Sequence, residues 1–390
     1  MSVTTPEGFV AAGVHCGIKA DVGALDLSLL ATTDHQPVPA AAVFTTNKAT
    51  AAPVNVSKAH LAASHRHASA VVLNSGNANA ATGATGQAHA ERTCALLAEA
   101  LGCDPNTVLV CSTGLIGIPF PIEAVESGID PLVERLSGDT AGATRAADAI
   151  LTTDTVRKET LIRTGSFAVG GMAKGAAMLA PNMATMLAVL TTDAAVDPTT
   201  LQKVLARAVT KSFNEMTIDG CTSTNDTVVL LSSGRAGAPD LDEFAVAVTD
   251  ACSDLSNQMV ADAEGATKLA KVRVTGAVSD AEAQRAARKI AESQLVKCSL
   301  FGADPYWGRI ISELGSAGVE FDPDRISICY GAVTVCSKGV AAAHDEGEVR
   351  SHLTGREIQI TADLDLGPGD ATITTADLTP SYIDENMRTS

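Results

Sequence analysis

A chain of 390 residues with 45 acidic and 28 basic side chains carries a net charge of −17, which repels phosphate backbones and anionic lipid and argues against nucleic-acid and membrane partners. Hydrophobic residues make up 46% but aromatics only 3%, so the core has to be assembled from Ala, Val, Leu and Ile in thin, closely spaced layers. The nine cysteines are odd in number and show no CxxC or Cys/His zinc spacing, so reduced, mostly buried thiols and no metal site are expected. The chain opens on MSVTTPEGFVAAG, without the basic-then-apolar order of a secretion signal, and no apolar run approaches the roughly 20 residues of a membrane span. A soluble, cytoplasmic protein is expected.

Val71–Leu73 reads as a strand, followed by NSGNANAATGATG from Asn74 to Gly86 and a helix over Gln87–Leu101. That loop lacks the GK[ST] ending or GxGxxG spacing of a phosphate cradle and is expected to be a tightly packed structural loop. A second strand, Val108–Val110, runs into CSTGLIG. There Thr113-Gly114 is either an ordinary turn or a place where a hydroxyl and a backbone N–H meet one point, as an oxyanion site requires. Gly170 to Asp193 is apolar and small-residue-rich with one cation, Lys174, near its start. Within it Ala184-Thr185 immediately precedes Met186–Leu190, which reads as a buried strand, where a β-branched Thr is also an ordinary strand residue.

Asp197-Pro198 opens a helix with Leu201, Val204, Leu205, Ala208 and Val209 on one stripe. The hydroxyl- and carboxylate-rich Thr217–Thr227 is compatible with an ordered site network or with a capped turn. It leads into a strand at Val228–Leu231, and Asp240–Val260 follows as an amphipathic helix. Val272–Thr275 is a weaker strand, interrupted by Arg273. A soft boundary near Val278–Asp280 precedes a C-terminal α+β unit starting at about residue 279. That unit opens on a capping box, Ser279 with Glu282. ADPYWGR places Trp307 and Arg309 in a turn. Strands are expected at Ile326–Tyr330, Val333–Cys336, Ile358–Thr361 and Thr372–Thr375. Elements in runs rather than strict alternation point to a layered α+β fold, not a doubly wound sheet.

Together, GIKAD near residue 17, the Asn74 loop, STGLIG, TTDT at 152–155, GMAKG, APNMATML, STNDT, DAEGATK, DPYWGR and SYIDEN closely resemble the ornithine acetyltransferases, the glutamate N-acetyltransferases of the cyclic arginine pathway, over nearly the whole chain. The resemblance implies an N-terminal unit similar to the self-processing aminopeptidases. It implies self-cleavage between Ala184 and Thr185 into an α chain, 1–184, and a β chain, 185–390, assembled as two α plus two β chains. Thr185 is then the nucleophile that carries acetyl from N-acetylornithine to glutamate in a ping-pong cycle, and Thr113 and Gly114 are the oxyanion pair. Thr152 or Thr153, Lys174, Thr185, Glu264, Asn386 and Ser390 are the implied substrate ligands. No cofactor is implied, and the residues leave open whether acetyl-CoA is also a donor. The tail departs from the family pattern, because Met387-Arg388-Thr389-Ser390 lacks the expected aromatic residue after Asn386. Tyr306 stands where asparagine is common. A self-processing aminopeptidase or amidohydrolase of the same architecture, and a catalytically silent amino-acid-binding relative, are the competing readings.

Overall fold

The computed structural model describes residues 2–178 and 186–387. The described residues fall into two compact units, one of residues 2–178, 186–214 and 221–259, the other of residues 215–220 and 260–387.

In chain order the first unit contains β1 (Phe9–Val14), β2 (Leu27–Thr32), β3 (Val38–Phe44), β4 (His67–Ala68) and β5 (Ala70–Asn74). There follow β6 (Val108–Ser112), β7 (Lys158–Arg163), β8 (Ala168–Lys174), β9 (Leu187–Ala194) and β10 (Thr227–Gly237). They form two sheets, ordered β1-β2-β5-β6 and β4-β3-β10-β9-β8-β7. Strand parity explains why both faces of the first sheet are apolar. Val71, Leu73, Leu109 and Cys111 point at Val189, Val229 and Leu231 of the second sheet. Their alternates Ala70, Val72, Val108 and Val110 pack with Leu97 and Val125.

The helices α1 (Ala52–Ala63), α2 (Gly83–Leu101) and α3 (Ile122–Glu134) cover that second face. α4 (Thr140–Asp148) lies directly on β1, where a Cβ added to Gly13 would stand 2.0 Å from the Arg145 carbonyl oxygen. α5 (Pro198–Thr210) and α6 (Leu241–Ala261) cover the six-stranded sheet. Gln202 of α5 bonds both the N–H and the carbonyl of Ala42 at 3.1 Å. Leu255 of α6 approaches Gly171 of β8. The start of α5 matches its sequence signals, since the Asp197 side chain accepts the Thr199 and Thr200 N–H groups ahead of Pro198.

The second unit carries β11 (Leu269–Ala277), β12 (Ser327–Tyr330), β13 (Val333–Ser337), β14 (Val340–Ala341), β15 (Glu357–Asp363) and β16 (Gly369–Ala376). They form one mixed sheet ordered β14-β13-β12-β15-β11-β16. Its helices are α7 (Asp280–Glu292), α8 (Gln294–Phe301), α9 (Gly308–Gly315), α10 (Glu346–Thr354) and α11 (Pro380–Asn386). Ala283, Ala286, Ala287 and Ile290 of α7 pack with Val272, Val274, Ile360 and Ile373 of the sheet, and Ser279 caps α7 by accepting the Glu282 N–H.

Several boundaries differ from the sequence reading. The α2 helix starts one turn early, at Gly83 rather than Gln87. β11 is a full strand because Arg273 lies on the exposed side of a period-2 alternation and pairs with Asp370. Its pairing with β15 and β16 places the start of this unit ahead of residue 279. The Thr217–Thr227 string is split, because the Thr217 N–H bonds Thr374 O of β16 at 2.8 Å while Ser223–Thr227 belongs to the first unit. Arg309 is in the first turn of α9 and bonds Leu295 O and Asp304, so it ties its own loop together. Among the described residues no helix is long and apolar enough to cross a membrane.

Candidate active site

β6 ends in a turn that only glycine can make. Thr113, 2% exposed, donates its N–H to Asn74 O at 2.9 Å. Gly114 follows at φ +127°, and a Cβ there would stand 2.3 Å from the Gly76 carbonyl carbon and 2.5 Å from Asn77 N. The turn is thus wedged against the Asn74 loop. That loop is as densely packed as its composition suggests, since buried Asn74, Asn77 and Asn79 donate side-chain N–H groups to the carbonyls of Asn77, Pro119 and Gly86. The Ser112 hydroxyl donates to Asn74 Oδ1 at 2.6 Å. Thr113 and Gly114 line a cleft of about 20 Å³ with Ala78, Ile116, Met178, Ser223 and Asn225, enough for about one water.

The segment before β10 joins this turn to the start of β9. Asn225 Nδ2 donates to Ala78 O at 2.6 Å and to Ser112 O at 2.9 Å. The next residue, Asp226, accepts the Met186 N–H on Oδ1 at 2.9 Å, and the Thr227 N–H bonds Met186 O at 3.2 Å. Two consecutive side chains therefore hold the residue before Thr113 and the residue after Thr185. Ala184 and Thr185 themselves lie outside the described residues. The Asp226 side chain is fully buried. Burial pushes its carboxyl well above the usual carboxylate range, and the Met186 N–H, the Ser223 side chain and the Lys174 charge offset only part of that.

Lys174 ends β8 directly across from Leu187 of β9. It is 3% exposed, with its Nζ 3.7 Å from Asp154 Oδ2. Asp154 also accepts from Lys158 Nζ at 2.6 Å, and its Oδ1 takes the Gly175 N–H at 2.6 Å. Lys158 and Asp154 have no exposed side-chain surface. Burial alone would raise the Asp154 carboxyl, but the ammonium groups of Lys174 and Lys158 and its hydrogen bonds hold it well below the usual range. Thr152 joins the cluster by donating its N–H to Asp154 Oδ2 at 3.1 Å, whereas Thr153 is exposed.

In the second unit, Glu264 is 8% exposed and accepts from Asn386 Nδ2 at 2.8 Å. Burial and the Glu264 charge raise the neighbouring Glu385. Ser390, like Thr389, lies outside the described residues. Thus Thr113 and Gly114 share one cleft, Thr152 and Lys174 share one carboxylate, and Glu264 and Asn386 are hydrogen-bonded to each other. Asp154 and Asp226, inside TTDT and STNDT, are the polar residues that sequence reasoning passed over. All nine cysteines are free. Cys94, Cys111, Cys252 and Cys336 are buried, while Cys221 and Cys298 are exposed. Burial pushes the Cys111 and Cys252 thiols up to about 12, which leaves them unreactive. Among the described residues no group of three or more His, Cys, Asp or Glu is placed to hold a metal.

Comparison with known proteins places these residues in context. The pattern of the ArgJ family matches residues 10–389. The arginine biosynthesis bifunctional protein ArgJ of Thermobifida fusca (strain YX) is 46% identical over 387 residues, 99% of each chain. That of Mycobacterium tuberculosis (strain ATCC 25618 / H37Rv) is 47% identical over 394 residues, covering 98% of this chain and 95% of the relative. The crystal structure of ornithine acetyltransferase complexed with ornithine, from Mycobacterium tuberculosis, is 42% identical, covering 46% of this chain and 94% of that one with a TM-score of 0.44.

Proposed function

The chain belongs to the ArgJ family, and from that premise we propose that it transfers acetyl from N-acetylornithine to glutamate in arginine biosynthesis. It does so after cutting itself between Ala184 and Thr185. An alkyl hydroxyl is a weak nucleophile at neutral pH without a base to take its proton. Cleavage before Thr185 creates an α-amine on the same residue, with a reference pKa of about 8, so nucleophile and base share one carbon skeleton. N-acetylornithine acylates the hydroxyl and ornithine leaves. The amine of glutamate then collects the acetyl group.

The observation that carries this reading is the pair Asn225 and Asp226. By holding Ser112 and Met186, they fasten together the strand end that leads to Thr113 and the strand start that follows Thr185. Both half-reactions pass through a tetrahedral oxyanion, and Thr113 with Gly114, on a turn fixed by contact with Gly76 and Asn77, supplies its donors. Removing one such donor typically costs about 2.7–4 kcal/mol of barrier.

Lys174, braced by Asp154, suits a substrate carboxylate, with Thr152 or Thr153 beside it. Glu264 suits an ammonium group, and Asn386 and Ser390 complete the set. The reaction requires no cofactor, and acetyl-CoA enters only as a second acetyl donor. Two α and two β chains in the cytoplasm form the working assembly.

The test is ornithine release from N-acetylornithine with and without glutamate. The account predicts a single turnover without acceptor and steady release with it. Steady release that ignores glutamate would mark a hydrolase instead. A Thr185→Ala chain is predicted to remain whole and inactive.

A further inference from the structure

The GIKAD string forms a loop wound around one buried carboxylate. Asp26 has no exposed surface. It accepts the Cys16 N–H on Oδ1 at 2.7 Å, and on Oδ2 the Gly17, Ile18 and Lys19 N–H groups at 3.2, 2.8 and 3.0 Å. Four successive N–H groups on one side chain fix the backbone at Lys19. The Lys19 side chain is half-buried and reaches two places already described. Its stem lies on Gly76, where an added Cβ would stand 3.1 Å from Lys19 Cγ, and Gly76 is the residue against which Gly114 is wedged. Its ammonium donates to Leu151 O at 2.7 Å and to Leu25 O at 2.9 Å. Leu151 directly precedes Thr152, whose N–H bonds the Asp154 Oδ2 that stands 3.7 Å from Lys174 Nζ.

Two carbonyls call for two N–H groups, not for a charge. An ammonium has three, so one N–H of Lys19 is left without a partner among the described residues, and its two acceptors are neutral. Burial lowers the pKa of this ammonium. The charges of Asp26, Asp154 and Asp21 raise it from a distance, and that of Lys174 lowers it further. Asp26 is taken up by backbone N–H groups, and Asp154 by Lys158 at 2.6 Å. A half-buried cation is thus held in the field of a second one, a strain that an arriving anion relieves.

We propose that Lys19 is a second carboxylate-binding cation of the acetyl-transfer site, which with Lys174 clamps the α-carboxylate that N-acetylornithine and glutamate share. The inference rests on the reading that Lys174 meets a substrate carboxylate. A carboxylate offers two oxygens, and two ammonium groups can take one each. Both are braced from behind, Lys174 by Asp154 and Lys19 by the carbonyls of Leu25 and Leu151. Held on both oxygens, the carboxylate fixes the direction of the other groups on its α-carbon, which orients the acetylated or acetyl-accepting nitrogen.

Lys19→Met keeps a stem on Gly76 and removes the charge. Purified wild type and K19M are assayed at saturating glutamate with two acetyl donors, N-acetylornithine and N-acetylputrescine. The second has the same acetamide and the same terminal ammonium but no carboxylate. The expected result is a KM for N-acetylornithine raised about 10–100-fold in K19M, the scale of one charge-assisted hydrogen bond, with kcat little changed. The loss with N-acetylputrescine is expected to be far smaller. A loss carried by kcat at unchanged KM, or an equal loss for both donors, overturns the inference and leaves the acetyl-transfer reading standing. A wild-type enzyme that frees no ornithine in response to glutamate overturns that reading as well.

Should K19M fail to fold or to cleave, labelling of the wild type decides. Reductive methylation of Lys19 is followed by peptide mass against the exposed Lys48, with ornithine or putrescine present. Lys19 is expected to label more slowly under ornithine than under putrescine. Equal labelling overturns the inference.

Discussion

Asp154 and Asp226 are both buried carboxyl groups of the first unit, yet they stand on opposite sides of their titration. Asp154 has Lys158 Nζ at 2.6 Å and Lys174 Nζ at 3.7 Å, and it is held below the ordinary range. Asp226 accepts the Met186 N–H at 2.9 Å and is held well above that range, because the Ser223 side chain and the Lys174 charge offset burial only in part. Burial raises both. The two ammonium groups and the hydrogen bonds at Asp154 outweigh burial, while the partners of Asp226 do not, so depth in the protein says little about charge until the partners are named. One carboxyl is therefore suited to bracing a buried cation, and the other to storing a proton.

The most severe way to break this contrast is Asp154→Ala. It removes the carboxylate that Lys158 and Lys174 share, and removing one partner of a buried pair typically costs about 3–5 kcal/mol. A denaturant melt is expected to show that loss, with the KM for glutamate rising in any fraction that folds. Asp154→Asn, which keeps the shape and an acceptor, is expected to lose less. Because the folded carboxyl is depressed, its stabilisation is fully present above the unfolded carboxylate pKa of about 3.9. It disappears as pH falls through the lower folded value.

The mirror case of Asp226 is Lys297 of the second unit. This buried amine donates to Thr375 Oγ1 at 2.6 Å and Ala376 O at 2.7 Å, both neutral. Burial lowers it to about 8, against the pull of Asp219, Asp377 and Glu292. The folded state gives up that proton before the unfolded one does. Stability is therefore expected to rise with pH between about 8 and about 10.4, by about 3 kcal/mol in total. Lys297→Met should flatten that limb of the pH–stability curve, and an unchanged limb would show that another group produces it.

A gentler probe compares D226N with wild type. A raised acid costs nothing below the unfolded pKa, and its penalty grows as pH rises toward the folded value. The stability of D226N relative to wild type should therefore climb with pH by at most about 1.4 kcal/mol per pH unit above about 4, whereas an Asp154 variant is flat against wild type there and loses ground with rising pH only below about 4. The smallest effect belongs to an ion pair without burial. Arg273 and Asp370 have side chains 46% and 43% exposed, so Arg273→Ala should change stability by only about 0–1 kcal/mol.

Local patterns were legible in the sequence, and long-range pairings were not. Short apolar runs located β5, β6 and β10, helical spacing located α5 and α6, and a capping box located α7, because each signal lies within its own segment. Lys174 stood out as a lone cation in an apolar stretch. Asp154 and Asp226 were hidden in hydroxyl-rich strings that also suit capped turns. The partners that define them, Gly175 and Met186, are 21 and 40 residues away. Arg273 misled for a related reason, since a charge inside a short apolar run reads as an interruption until Asp370 on β16 supplies its partner.

The most direct measurement is the intact mass of both fragments after the cleaved enzyme meets N-acetylornithine without an acceptor. The account predicts one added acetyl group, on the fragment that begins at Thr185 and nowhere else, discharged when glutamate is supplied. Ornithine formed while both fragments keep their original masses, or acetyl found on the fragment ending at Ala184, would contradict it.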